Sequence, residues 1–216
     1  MLRVGGIVLC GGHSKRMGRT KALLPFGDEL LLTRMVRLLS QAVQPIAIVA
    51  AADADLAALA EQTQLGHSAV PLLWTRDARP DRGPLEGVRA GLTALADLVD
   101  AVYITSCDAP LLVPAFVERM IVELNARDCA VPMELNARGA PLYHPLAAVY
   151  RTNTLPVVER LLASEQLRLG ALFEHLVTRA VPIDDLRAVD PELATLRNAN
   201  NPAEYQRVLQ AAGIVH

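Results

Sequence analysis

Val4-Gly5-Gly6-Ile7-Val8-Leu9-Cys10-Gly11-Gly12-His13-Ser14-Lys15-Arg16-Met17-Gly18-Arg19-Thr20-Lys21, continuing as Ala22-Leu23-Leu24-Pro25-Phe26-Gly27, decides how the remainder of the 216-residue chain folds. An apolar run long enough for one buried strand stops at a glycine pair. A loop follows that carries two lysines, two arginines, a serine and a further glycine. Glycines let backbone N–H groups come close to an anion, and cationic side chains neutralise it, so this pattern reads as a phosphate cradle. Its place at the carboxyl end of a first strand is where open α/β sheets bind their ligands. A solvated basic loop is the plainer alternative.

Downstream, strand and helix patterns alternate. Residues 28–44 carry Leu31, Leu32, Met35, Val36, Leu38, Leu39 and Val43 on one helical stripe that Pro45 ends. Residues 46–51 are wholly apolar, as expected of a parallel strand buried on both faces. A second helix over 55–64, a strand over 70–75, a helix over 85–98 and a strand over 101–105 follow. Helix from about 113 to 125, strand 129–133 and a turn-rich excursion over 136–141 come next. An apolar run over 143–151, helices over 155–164 and 169–176, a strand over 178–183 and a last helix over 203–212 complete the chain. This alternation predicts a single α/β domain spanning 1–216: a Rossmann-like, doubly wound, mainly parallel sheet with helices on both faces and a small excursion in the second half.

Composition narrows the function. Apolar residues make up 52% and charged residues 20%, and the formal net charge of -2 argues against a nucleic-acid groove. No run approaches the roughly twenty apolar residues of a membrane span, and a cytoplasmic protein is expected. Cys10, Cys107 and Cys129 are odd in number and widely spaced, which suits neither a disulfide framework nor a zinc site.

The loop matches neither a Walker A sequence nor the Gly-x-Gly-x-x-Gly dinucleotide fingerprint. An oxidoreductase of that kind would also need an acidic residue ending its second strand, where Val49-Ala50-Ala51 stands. Asp77, Asp108 and the Asn198/Asn200 pair join the glycine loop at expected strand ends, and a polar loop opens the helix at 85–98. Asp108, in Ser106-Cys107-Asp108-Ala109-Pro110, could hold Mg²⁺ through a hard oxygen or merely cap the next helix. Gly83-Pro84-Leu85 opens a helix whose N-terminus could face an anion or form a tight junction only. Asn198 and Asn200 offer neutral oxygens for a metal or for water held on it, and Asn201-Pro202 also suits a helix start.

The ordered set Leu9-Cys10-Gly11-Gly12-x-Ser14-x-Arg16-Met17-Gly18-x-x-Lys21, Gly83-Pro84-Leu85-x-Gly87, Cys107-Asp108-Ala109-Pro110, His144-Pro145 and Asn198-Ala199-Asn200 resembles the nucleotide-sugar-type nucleotidyltransferases. Within them it is most similar to the molybdenum cofactor guanylyltransferases, over nearly the whole chain. The resemblance implies transfer of GMP from GTP to the terminal phosphate of molybdenum-bound molybdopterin, with Mg²⁺, giving the guanine dinucleotide cofactor and pyrophosphate. Arg16, Lys21 and Asp108 would be catalytic. Leu9, Cys10, Gly11, Gly12, Lys21, Asp77 and Asp108 would bind the nucleotide, with Leu9 near the base, Asp77 as an acidic contact to it and backbone amides from Cys10 to Gly12 facing phosphate. Asp108 and Asn200 would hold the metal. GTP and a molybdopterin-type acceptor are the implied partners, together with proteins that insert or deliver the cofactor.

His144 could touch the acceptor or serve as a packed structural residue. Three positions depart from the family pattern: Cys10 for an alanine, Asn201 for a threonine, and Ala50 where some members place an asparagine on the nucleotide. The Ala50 departure keeps open a related enzyme that uses CTP or a sugar or small-acid phosphate.

Overall fold

The computed structural model describes residues 2–11, 20–80 and 82–214. Its first strand, β1 (Val4–Leu9), leads by way of Lys21 into a hairpin of β2 (Pro25–Phe26) and β3 (Glu29–Leu30), then α1 (Leu31–Leu39). β4 (Ile46–Ala50), α2 (Leu56–Gln62), β5 (Leu72–Arg76), α3 (Pro84–Leu95), β6 (Ala101–Ser106) and α4 (Pro114–Leu124) follow. The second half contributes β7 (Cys129–Leu135), β8 (Pro141–Tyr143), β9 (Ala148–Arg151), α5 (Leu155–Ala163), β10 (Thr178–Pro182), α6 (Ile183–Leu186) and α7 (Pro202–Ala211).

The main sheet runs β10-β7-β9-β6-β1-β4-β5, with β8 paired to β7. β1 lies parallel between β4 and β6, and β5 continues this parallel half. β9 runs antiparallel to both β6 and β7, so the sheet is mixed only there and at the β7–β8 hairpin.

Alternation along the strands sorts two cores. Ile7, Leu9, Ala47 and Val49 pack with α3 and α5 on one face, while Val8, Cys10, Ile46, Ile48 and Ala50 pack with α1 and α4 on the other. The doubly wound arrangement expected from the sequence is therefore present. Close packing of α3 on β1 depends on Gly91: a Cβ there would lie 2.7 Å from Ile7 Cδ1.

Several elements differ from the sequence reading: the apolar run 143–151 is a strand only over Ala148–Arg151, the helix expected over 85–98 ends at Leu95, and Ile183 opens α6 instead of closing a strand. Residues 28–30 belong to a tight hairpin instead of the helix, because Gly27 turns the chain at φ +65° and the Leu31 amide bonds back to the Leu24 carbonyl. The segment Leu169–Glu174 is a 3-10 helix, not an α-helix; its buried Leu169 and Leu172 recur every three residues, the period of that helix. Among the described residues no helix is long and apolar enough to cross a membrane.

A third, smaller core joins the ends of the chain. Leu24, Phe26 and Leu31 pack against Ala199, Val208 and Leu209, which seats α7 on the β2–β3 hairpin. Asn201 caps α7 through the Glu204 amide at 2.9 Å, and the Glu204 carboxylate returns a bond to the Asn200 amide at 2.9 Å. Packing and cap together bring the segment 198–200 beside Lys21.

Candidate nucleotide and metal site

The carboxyl ends of β1, β4, β5 and β6 border a cavity of 890 Å³, closed on one side by the start of α3 and on another by the segment 198–200. Leu9, Cys10, Gly11, Lys21, Asp77, Asp108, Asn198 and Asn200 all line it. These residues come from stretches as far apart in sequence as Leu9 and Asn200, and the parallel register gathers them because every strand of this half points the same way. Gly12 and Arg16, read from sequence as phosphate contacts, lie outside the described residues.

At one end sits a compact polar group. Lys21 Nζ is 2.6 Å from Asp108 Oδ2 and 3.2 Å from Asn200 Oδ1. The Ser106 hydroxyl donates to the other carboxylate oxygen, Asp108 Oδ1. The Asp108 backbone carbonyl accepts the Ala199 amide at 2.8 Å, which ties the asparagine segment directly to the turn after β6. Asp108 lines the cavity and does not cap the next helix: Val113, not Asp108, precedes α4, and its amide goes to Thr195 Oγ1 at 3.0 Å. Hard carboxylate and amide oxygens already gathered around one cation are a donor set that fits Mg²⁺, with phosphate and water supplying the remaining ligands. Among the described residues no three His, Cys, Asp or Glu side chains cluster as a self-sufficient metal site.

At the other end, Asp77 follows β5 and faces the glycines that make room for it. Cβ atoms added at Gly11 and Gly87 would lie 3.1 Å and 3.2 Å from its carboxylate oxygens. Partial burial, reinforced by the neighbouring Glu86 carboxylate and only partly offset by Arg89, lifts the Asp77 carboxyl to about 6. Glu86 itself is buried and bonded to Arg89 at 2.8 Å, with Arg82 Nε at 3.7 Å. Leu9 lines the wall beside Gly87, 3.1 Å from the position a Cβ would take there.

Cys10 requires a correction. Its amide donates to the Val49 carbonyl at 2.7 Å and is consumed by the sheet, so it offers nothing to a phosphate. Its thiol is buried and pushed well above the usual range by a hydrogen bond with the Cys107 thiol and by burial, consistent with a small apolar role. Ala50 is likewise turned into the core on the α1 face, and the residues of this segment that reach the cavity are Ala51, Ala52 and Asp53. His144 is bonded to Glu134 Oε1 at 3.0 Å, while Leu146, two residues on, reaches the cavity.

Ser106 and Asp53 escaped the sequence reading. Ser106 had a usable signal, since it ends a buried strand two residues before the candidate metal ligand and pairs in register with Leu9. Asp53 had none, because a carboxylate in an alanine-rich turn looks like any solvated charge.

The model of the MobA-like NTP transferase domain matches residues 6–180. A probable molybdenum cofactor guanylyltransferase of Carboxydothermus hydrogenoformans is 32% identical over 94% of this chain and 93% of its own. A molybdenum cofactor guanylyltransferase of Rhodobacter capsulatus is 32% identical over 95% of each. Among solved structures, molybdopterin-guanine dinucleotide biosynthesis protein A of Archaeoglobus fulgidus superposes with a TM-score of 0.76 over 98% of this chain and 100% of that one, at 21% identity, and so shares the fold.

Proposed function

From the premise that the chain belongs to the MobA-like NTP transferase family and is a nucleotidyltransferase, we propose that it moves GMP from GTP to the terminal phosphate of molybdenum-bound molybdopterin, releasing pyrophosphate. One observation carries this reading: a cationic and metal-competent cluster at Lys21, Asp108 and Asn200 shares a cavity with a carboxylate, Asp77, that has neither hydrogen-bond nor ion-pair partner among the described residues.

Guanine presents N1–H and N2–H₂ as donors on one edge, and an ionised carboxylate accepts both. Asp77 holds that edge while Leu9 lies along the base. The triphosphate then reaches toward Gly11 and Lys21, where the Lys21 ammonium offsets its charge. Arg16 is proposed to add a second cation. Asp108 and Asn200 would hold Mg²⁺, which when bound supplies charge neutralisation for the departing pyrophosphate. The acceptor phosphate is largely ionised at neutral pH and needs no protein base to attack the α-phosphorus. Its P–O bond forms as the α–β bridging bond breaks, and Lys21 is placed to steady the charge on the leaving group. The pterin side of the acceptor would lie toward Leu146 and the β7–β8 hairpin.

Parallel incubations of the protein with α-labelled GTP or α-labelled CTP, Mg²⁺ and either molybdenum-bound molybdopterin or a sugar phosphate test the proposal. Label recovered in a guanine dinucleotide supports it; label transferred only from CTP, or only to a sugar phosphate, replaces it.

A further inference from the structure

Lys21 has two electrostatic tasks that it cannot perform at once. Its ammonium lies between Asp108 Oδ2, at 2.6 Å, and Asn200 Oδ1, at 3.2 Å, and those are the oxygens assigned above to the divalent cation. The pair is well shielded, with side-chain exposures of 19% for Lys21 and 13% for Asp108, so the contact is not a solvent-screened surface bridge. The other carboxylate oxygen, Oδ1, is engaged by the Ser106 hydroxyl, which leaves Oδ2 as the oxygen that faces the cation. Two cations cannot share the remaining oxygen without strong mutual repulsion.

We infer that the Lys21 ammonium is a stand-in for the divalent cation, and that the metal enters only when a nucleoside triphosphate draws Lys21 away. The inference rests on the nucleotidyltransferase reading and adds to it an obligatory coupling between metal and nucleotide. The physical basis is an exchange of partners. Lys21 carries its charge on a flexible four-carbon stem with three rotatable donors, so it can turn from a single carboxylate to a polyanion without movement of the sheet. Its backbone sits in the 3-10 turn Lys21–Leu23, at the border of the cavity. Asp108 and Asn200, by contrast, are held at the backbone: the Ala199 amide binds the Asp108 carbonyl at 2.8 Å, the Asn200 amide is held by Glu204 at 2.9 Å, and the Asp108 carboxylate is further oriented by the Ser106 hydroxyl. The backbone that carries both oxygens stays in place while the cation between them changes.

The exchange has a functional consequence. A carboxylate and an amide oxygen alone hold Mg²⁺ weakly, since this ion keeps its waters unless phosphates replace them. With Lys21 seated, even that weak site is closed, and the protein does not accumulate metal without substrate. Triphosphate and metal then raise each other's affinity by the same factor, as linkage requires.

Mn²⁺ is the probe, with the free ion read by its electron paramagnetic resonance signal in titrations of the full chain. Without nucleotide, Lys21→Met is expected to bind Mn²⁺ about tenfold or more tightly than the unaltered protein, and Lys21→Gln should behave alike. Arg76→Met is the control for bulk charge, since that guanidinium reaches the Ala54 carbonyl and not Asp108. Adding Asp108→Asn to Lys21→Met should abolish the gain. An α,β-methylene analogue of GTP should strengthen Mn²⁺ binding to the unaltered protein and do so much less in Lys21→Met. Unchanged Mn²⁺ affinity in both Lys21 variants overturns the inference, as does an equal gain in Arg76→Met or a gain that survives loss of Asp108. Failure of the analogue to bind at all would count against the guanylyltransferase reading, while the nucleotide-free comparison would still decide the role of Lys21.

Discussion

Gly87 on α3 leaves space that the Asp77 carboxylate and the Leu9 side chain occupy from two sides: a Cβ on its Cα would stand 3.2 Å from Asp77 Oδ1 and 3.1 Å from Leu9 Cδ2. A helical glycine is ordinarily unfavourable by about 1 kcal/mol relative to alanine, so its use here answers to the cavity and not to the helix. Gly87→Ala is therefore expected to change unfolding stability by no more than about 1 kcal/mol, as helix propensity offsets crowding. Nucleotide affinity should fall clearly, because either Asp77 or Leu9 must shift. Urea unfolding alongside nucleotide titration separates the two effects.

Asp77 makes binding depend on pH. Its carboxyl titrates near 6, above the ordinary value of 3.8, so it is ionised at neutral pH and protonated in mild acid. Only the ionised form accepts both guanine donors, and GTP affinity should decline as pH falls through about 6. Fold stability runs the other way. Between the two values the folded state binds more protons than the unfolded state, so this residue's contribution improves as pH falls and is lost as pH rises through about 6. Asp77→Asn should accordingly stabilise the fold at pH 8, by on the order of 1 kcal/mol once the half-exposed setting is allowed for, while weakening GTP binding. Paired thermal melts and titrations at pH 5 and pH 8 check both signs.

Gly91 provides a purely structural contrast on the same helix. A Cβ there would lie 2.7 Å from two atoms of fully buried Ile7, too close for the core to accept without movement. Gly91→Ala should cost about 1–3 kcal/mol of stability in denaturant unfolding, through overpacking of α3 on β1.

Asp190 supports the asparagine segment from below. Its carboxylate is 2% exposed and accepts the Ala194 and Thr195 amides at 2.9 Å each, and Thr195 in turn receives the Val113 amide. Asp190→Ala leaves two amides without partners and should destabilise the protein by about 2 kcal/mol or more. Loosening the approach to Asn198 and Asn200 should also raise the Mg²⁺ concentration needed for half-maximal turnover, which a metal titration of initial rates would show.

Much of this was legible in the chain itself. The apolar runs at β1 and β4 and the largely apolar run at β6 read as strands buried on both faces, and the first and last are followed by residues with distinctive chemistry, Gly11 and Asp108. The cap by Asn201 was equally readable, since asparagine before proline satisfies the first turn of a helix. What the sequence concealed was whatever depends on register and side-chain direction. The Cys10 amide belongs to the sheet because β4 happens to extend to it, and Ala50 faces inward because strand alternation puts it there. The reversed β9 between β6 and β7 was also unreadable, as a four-residue strand carries no mark of its direction. The hairpin at 25–30 was hidden under a leucine-rich pattern that suits a helix until Gly27 turns the chain.

Calorimetric titration of the purified protein with GTP, CTP, ATP and UTP, each with and without Mg²⁺, addresses the central claim most directly. Selective binding of GTP that Mg²⁺ strengthens, and that disappears in Asp77→Ala, is the predicted result. Equal binding of all four nucleotides, preference for CTP, or GTP binding indifferent to both Mg²⁺ and Asp77 would contradict the account.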